Sequence, residues 1–561
     1  MQDNQNNARK TKVLIICGVM VFSAVTASWT FSERPLSNHE CFVAITAREM
    51  LESGDWTWPT CNGEPRLRKT PLSYWLVAGL AQITGDVDVN EFTARMPSVI
   101  FAVLSVAAVI YFVNQLLGFR IAVLSAGVWA STLAYIRYAR HARPEMVLTF
   151  FIVMCFLSFY SAINAKSRKS QVVYMLIFWT SFGLGMLAKG PMPLPIVLLP
   201  LFFYISISRK WKQVPKLLPI IGPVIFLAIV LPWPLVIAHK LNWDLTLWKR
   251  EFVDRFFGTY ASSGKPIYYY LSIMFQFMLP WVAFVPMALA APFYKIWGKK
   301  QKIMLFLWLW FVVGLVFISI SAGKRQHYIL PLMPAMAILA GISLEDLAFR
   351  QKAYTKDFAR SLLLWHLVIL TIAFIGLPIG TAIIRRQALY ESIVIAESIV
   401  IATTGVVVVL IVTALFRAGK TSRAFVALFT GISILVMLCC VSLVNPYNRR
   451  WLSKQFTSTV AQKVPASDEL IAYKSATARF IYYFGKVVPK IEEKSKVYEL
   501  YEQGWWVVAF GTYLDELLED NKDLEIVYRE EKAEWHQSTI VDGALLHKSK
   551  VKNQESVIKA R

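Results

Sequence analysis

The sequence predicts a polytopic α-helical membrane protein with about thirteen transmembrane helices and a small soluble α/β domain at its C-terminal end. Three observations predict this. Of 561 residues, 56% are hydrophobic and only 17% charged, at a mean hydropathy of +0.48, which leaves too little polar surface for a soluble chain of this length. Apolar runs such as Val13–Phe31 and Ala424–Val444 are long enough to cross a hydrocarbon core of about 30 Å as helices. From Asn445 the composition turns soluble, with charges of both signs. The net charge of +23 lies in short basic tracts between apolar runs, where anionic headgroups and topology place it, so a nucleic-acid-binding face is excluded.

Spans are expected at 13–31, 93–117, 120–136, 145–163, 172–188, 191–208, 217–238, 268–294, 303–321, 327–345, 361–383, 396–417 and 424–444. The first follows Lys10 and Lys12 like the apolar core of a signal peptide. It lacks a small-x-small cleavage site, so an uncleaved helix is expected. With the N-terminus inside, every inside loop is basic: Arg9 to Lys12, Arg120, Lys166 to Lys169, Arg209 to Lys216, Lys295 to Lys302, Arg350 to Arg360 and Arg417 to Arg423. That is the positive-inside bias. An odd number of spans leaves the tail outside.

Two outside loops are long, 32–92 and 239–267. The first carries amphipathic stretches, Phe42, Ile45 and Met50 among Glu40, Glu49 and Glu52, then Pro71–Ile83, that suit helices lying along the interface. In the tail, strand-like Leu470–Tyr473, Trp505–Phe510 and Leu524–Tyr528 alternate with helix-like Ala476–Gly485 and Tyr513–Glu519, as an α/β domain requires. Cys17, Cys155, Cys439 and Cys440 fall in apolar helices as small hydrophobes. Cys41 and Cys61 share the first outside loop, and whether they pair is left open. No metal-site cysteine spacing occurs.

Positive charge on the outside runs against the topology bias and needs another reason. Arg137, Arg140 and Arg143 crowd one short outside turn with His141. Lys189 stands alone between two apolar helices, Lys324 and Arg325 sit at a helix junction before His327 and Tyr328, and Lys69 precedes Thr70-Pro71. Each cation alone has a bland role, snorkelling to lipid phosphate. Four loops delivering cations to one side point instead to a membrane-embedded anion, for which the phosphate of a lipid-linked donor is the natural candidate. Glu40 and Glu145 lie near them in sequence, either as a base toward an acceptor hydroxyl or as a counter-ion to the arginines.

Several stretches carry a family resemblance. They are Arg48-Glu49-Met50-Leu51-Glu52-Ser53-Gly54-Asp55-Trp56 with Pro59; Asn62-Gly63, Lys69, Pro71-Leu72 and Tyr74-Trp75; and Glu91-Phe92, Ala94-Arg95 and Pro97-Ser98. Later pieces follow in order: Leu187-Ala188-Lys189-Gly190, Arg255-Phe256, Pro266 to Tyr270, Pro280-Trp281, and Gly323-Lys324 with Tyr328-Ile329-Leu330-Pro331. Together they resemble the lipid A aminoarabinose transferases and protein O-mannosyltransferase-like enzymes (glycosyltransferase families 39 and 83), which have the GT-C fold.

The resemblance implies a transmembrane catalytic part over 1–444 and a periplasmic domain over 445–561. It implies inverting transfer of one sugar from a polyprenyl-phosphate (undecaprenyl-phosphate) donor at the periplasmic face of the inner membrane. The acceptor would be a lipid-linked glycan, lipopolysaccharide or protein. By matching position, Lys69, Lys189, Arg255, Lys324 and Tyr328 would surround the donor phosphate; Arg325, Arg137, Arg140 and Arg143 join them as neighbouring outside cations. Glu145 falls where the family has Asp at a helix start.

There are departures from the pattern. The family's Asp-Glu pair is His39-Glu40 here, its Arg-Tyr is Phe42-Val43, its Glu before Lys69 is Arg68, and its His before Pro266 is replaced near Ser263. The last two remove metal ligands, so no metal cofactor is expected. The base becomes Glu40, or a His39–Glu40 pair. The competing reading is a polyprenyl-phosphate or glycolipid binder or flippase without catalysis. A transporter should show inverted repeats, and the sequence has none.

Overall fold

The computed structural model describes residues 2–86, 88–259, 264–350, 352–354, 356–385, 395–444, 453–521, 523–536 and 539–548. Backbone contacts divide the chain into a helical unit, 1–31, 67–80 and 95–445, and an α/β unit, 32–66, 81–94 and 446–561.

Among the described residues, nine helices are long and apolar enough to cross a membrane: Gln5–Ser28, Glu91–Leu117, Glu145–Ile163, Arg168–Lys189, Lys300–Ile320, Gln326–Arg350, Ser361–Ile383, Ile395–Arg417 and Thr421–Ser442. Two bent pairs, Phe119–Ser131 with Leu133–Ala139 at 60° and Trp211–Leu217 with Ile221–Val230 at 56°, raise the number to eleven at most. Among the described residues, then, not every one of the expected segments is a single continuous helix long enough to span. The 120–136 segment breaks at Thr132, whose hydroxyl restarts the helix by accepting the Tyr135 N–H. The 217–238 segment breaks beside Leu218, at φ 53°, and begins again at Pro232. The 191–208 segment is only Pro193–Ile207, and 268–294 is divided by Pro280 after Tyr269–Phe277. Proline removes a backbone donor and ends a helix, and such breaks survive in a bilayer where protein surrounds them.

Packing in the helical unit is close. A Cβ at Gly341 would stand 2.7 Å from the Ser125 backbone nitrogen, so helix Met333–Glu345 rests directly on Phe119–Ser131. Small residues at such crossings are how membrane helices gain contact without a hydrophobic drive between them. Two buried indoles find acceptors: Trp129 Nε1 donates to Ser105 Oγ and Trp281 Nε1 to Ser131 Oγ, both at 2.8 Å. Trp310 lies flat on Phe156, with ring centroids 4.3 Å apart.

In the α/β unit, helix Asn38–Ser53 and a hairpin of β1 (Thr60–Cys61) and β2 (Glu64–Pro65) accompany a five-stranded sheet. Its strands are β3 (Leu470–Tyr473), β4 (Lys490–Ile491), β5 (Trp506–Phe510), β6 (Ile526–His536) and β7 (Thr539–Leu546), in the order β4-β3-β5-β7-β6. β4 and β5 run parallel to β3; β7 is antiparallel to β5 and β6. Ile471, Tyr473, Val507 and Ala509 face helices Lys494–Glu502 and Thr512–Asp520. On the other face Phe510 packs with Phe456 and Phe480, from helices Ser453–Lys463 and Ala478–Phe484.

Residues 32–66 and 81–94 thus group with the tail while 67–80 stay in the helical unit, whereas the sequence reading put all of 32–92 with 1–444. The reason is long-range bonding. Arg48 reaches both Asp88 oxygens, at 2.5 and 2.7 Å, and the Tyr482 carbonyl at 3.0 Å. The Asn62 amide makes two bonds to the Val488 backbone, at 2.9 and 2.8 Å. Helix Asn38–Ser53 buries Thr46 and Arg48 as well as Cys41, Val43 and Ile45; protein, not a lipid interface, covers it. Cys41 and Cys61 are free thiols, and burial pushes the Cys61 thiol up to about 11.

Candidate functional site

The site in the helical unit begins with two helix ends. Glu145 opens helix Glu145–Ile163 and Lys189 closes Arg168–Lys189, an acid at a positive end and a cation at a negative one, each favoured by the helix dipole. Glu145 is buried and Lys189 largely so, and Lys189 Nζ stands 3.1 Å from Glu145 Oε1. His327 Nε2 lies 3.5 Å from the same oxygen, and Arg143 acts on this carboxylate through space. The ammonium also sits 5.3 Å from the centre of the Tyr328 ring, within cation–π range.

Gly190 fixes the turn that aims Lys189. Its φ is 66°, and a Cβ there would meet the Phe252 ring at 2.8 Å. Only glycine takes both the left-handed backbone and that contact without strain. The Gly190 N–H donates to Met186 O at 2.7 Å and to Thr70 Oγ1 at 3.1 Å, which brings the Lys69-Thr70 segment alongside. Trp248 Nε1 donates to Leu67 O at 3.0 Å, and Lys69 Nζ meets the buried Glu251 at 2.6 Å.

Lys69, Lys189, Glu251 and Tyr328 line one cavity of ≈ 440 Å³, whose remaining wall includes Phe252, Phe256, Phe257, Phe317 and Ile318. Two lysines and a tyrosine in the wall of an otherwise largely apolar pocket suit an anionic head on a long apolar tail. A phosphate would meet charge-assisted donors, and an isoprenoid chain would meet rings and methyl groups.

Other expected residues are placed as follows. Lys324 is buried, and its ammonium donates to Ser321 O at 2.7 Å; Ser321 and Gly323 both line the cavity. Exposed Arg325 is held through its backbone, which exchanges hydrogen bonds with the Tyr270 hydroxyl at 3.0 and 3.1 Å. Arg137 is exposed, 5.6 Å over Tyr138. Arg140 is diverted: its guanidinium bonds Trp29 O, the Thr30 hydroxyl and Cys440 Sγ, a structural use that takes it out of the donor set. The side chain of Arg255 lies outside the described residues, as does Ser263.

Glu40 and His39 belong to the α/β unit. Glu40 is fully buried; it accepts the Ser37 N–H at 2.9 Å in a capping box and pairs with Arg34 at 3.3 Å, a helix-starting arrangement. His39 is exposed.

Sequence reasoning missed Glu251. Its one signal is an acid set among the aromatic residues from Trp248 to Phe257 in the second outside loop. Among the described residues no three His, Cys, Asp or Glu side chains gather as a metal cluster.

Known proteins match at several levels. The family described as dolichyl-phosphate-mannose-protein mannosyltransferase matches residues 68–235. Undecaprenyl phosphate-alpha-4-amino-4-deoxy-L-arabinose arabinosyl transferases are similar: that of Pseudomonas aeruginosa strain LESB58 is 27% identical over 55% of this chain and 57% of its own length. That of Yersinia enterocolitica is 28% identical over 60% of each. The chain therefore spans less than two thirds of these relatives. The crystal structure of ArnT from Cupriavidus metallidurans bound to undecaprenyl phosphate superposes with a TM-score of 0.80 at 18% identity, covering 95% of this chain and 97% of that one.

Fold and hydropathy agree on the class: the chain is a polytopic helical membrane protein with the GT-C fold of that ArnT structure. Within that class it resembles the aminoarabinose transferases, as its motifs predict.

Proposed function

We propose that the chain is a GT-C glycosyltransferase of the inner membrane, N-terminus cytoplasmic, that transfers one sugar from a polyprenyl-phosphate donor at the periplasmic face. The acceptor is a lipid-linked glycan, lipopolysaccharide or protein. The observation that carries this reading is the convergence of Lys69, Lys189 and Tyr328, from segments far apart in sequence, on one apolar-walled cavity. The similarity to an ArnT crystallised with undecaprenyl phosphate supports it.

In the proposed reaction an acceptor oxygen attacks the anomeric carbon and the bond from that carbon to the phosphate oxygen breaks. Polyprenyl phosphate leaves with the electron pair. A single displacement inverts the anomeric configuration. Lys69 and Lys189, with Lys324, stabilise the charge that grows on the departing phosphate. Glu251 is the counter-ion that the incoming phosphate replaces at Lys69. A hydroxyl acceptor gives its proton to a base, for which Glu40, beside His39, is the candidate. Glu145 balances Lys189. No metal is assigned to the chemistry.

The test uses purified full-length protein, a radiolabelled polyprenyl-phosphate sugar and a membrane extract. Release of polyprenyl phosphate, undiminished by EDTA, is expected. Lys69→Ala/Glu251→Gln, which strands no buried carboxylate, should weaken donor binding about tenfold, roughly 1.4 kcal/mol, with little change in melting temperature. Glu40→Gln should stop release while the donor still binds. Donor binding without release by the wild type would favour the binder or flippase reading instead.

A further inference from the structure

The α/β unit holds a second cavity, of ≈ 800 Å³, that the site above does not use. Asn38 and Phe42 of the first helix, the β1–β2 hairpin, the segment after β3 and the segment entering β4 form its walls. They are held in place. The hairpin is bound to the Val488 backbone through Asn62, and the Glu49 carboxylate takes the Thr60 hydroxyl and the Asn62 N–H, at 2.5 and 2.6 Å. The cavity is preformed and within the ~300–1,000 Å³ range of ligand pockets.

The cavity lies beside the carboxyl end of β3, on the side of β4. The connection after β3 starts with Lys474 at φ 55°, a left-handed conformation that side-chain-bearing residues rarely hold without a reason.

The lining chemistry selects the ligand. Among the described residues the Ser475 hydroxyl, the Glu64 carboxylate and the Lys490 ammonium have no hydrogen-bond partner, and the Asn38 amide uses only its oxygen, on the Arg479 N–H at 3.2 Å. These are donors and acceptors of mixed kind, interleaved with Ile481 and with the ring of Phe42, one face of which the Arg66 guanidinium covers at 4.2 Å. Glu64 and Lys490 cancel in charge, so an anion gains little. A ring that carries hydroxyls on its edge and C–H groups on its faces satisfies both sets at once.

We propose that this cavity is a glycan-binding site that takes a short run of neutral sugar rings. That this glycan is part of the transfer acceptor rests on the glycosyltransferase reading; the binding itself does not.

The experiment places the full chain in lipid nanodiscs free of sugar-based detergent, with chitotriose and maltotriose as probes in saturation-transfer NMR. Transfer to at least one trisaccharide is expected. Phe42→Ala and the milder double variant Ser475→Ala/Lys490→Ala should each raise its Kd about tenfold or more, with undecaprenyl phosphate binding unchanged. Absence of transfer to both probes, or equal binding by the folded double variant, overturns the site. Trisaccharide binding in a protein that releases no polyprenyl phosphate from any donor leaves the site standing and removes the transferase reading.

Discussion

At the scale of residues, the Lys189–Glu145 pair carries the most consequence. Glu145 is buried and Lys189 largely so, and removing one charge strands the other where water reaches it poorly. Glu145→Gln is expected to lower stability by about 3–5 kcal/mol, and Lys189→Met/Glu145→Gln to recover much of that loss; thermal unfolding of the three proteins in one detergent checks it. Losses that simply add would mean that the two side chains act independently. Lys69 and Lys189 were legible in the sequence because a cation on the outer flank of an apolar helix contradicts the charge bias. Glu251 was not, since its meaning comes wholly from Lys69, 182 positions away. Arg140, whose charge is anomalous for the same reason, bonds the Trp29 carbonyl and the Thr30 hydroxyl.

At the scale of elements, hydropathy located every expected helix-bearing segment of the membrane part but not where each stops. An apolar window looks the same whether a helix runs through it or kinks at Thr132, Leu218 or Pro280, because the break lies in φ and in a missing donor rather than in transfer energy. Strands fared likewise: β3 and β5 are short apolar runs and were visible, whereas β7, Thr539–Leu546, carries Asp542 and Gly543 in mid-strand and gave no signal. Close helix contact yields the element-scale prediction. Gly341→Val has no room against the Ser125 backbone, and overpacking of this kind costs about 1–3 kcal/mol. The variant should melt at a lower temperature than Gly376→Val, where open space surrounds the glycine; equal melting would show that helix Met333–Glu345 stands away from Phe119–Ser131.

At the scale of the whole molecule, the basic loops predict sidedness. With Cys17 and Cys61 replaced by Ser, Ser467→Cys should react with a membrane-impermeant maleimide in intact cells, and Lys169→Cys only after lysis. The reverse pattern would invert the topology and detach the donor cavity from the periplasm. Domain division was the least legible property. Composition splits the chain at Asn445, but packing assembles the α/β unit from 32–66, 81–94 and 446–561, and only bonds such as Arg48 to Tyr482 show it. Those partners are made at opposite ends of synthesis. While the ribosome threads several hundred residues of helix into the bilayer, Arg48, Asn62 and the emptied face of Asn38–Ser53 must wait exposed for a tail that does not yet exist. Nascent chains cut short before β3 would carry that unfinished surface permanently, a natural target for chaperone retention and quality-control proteolysis.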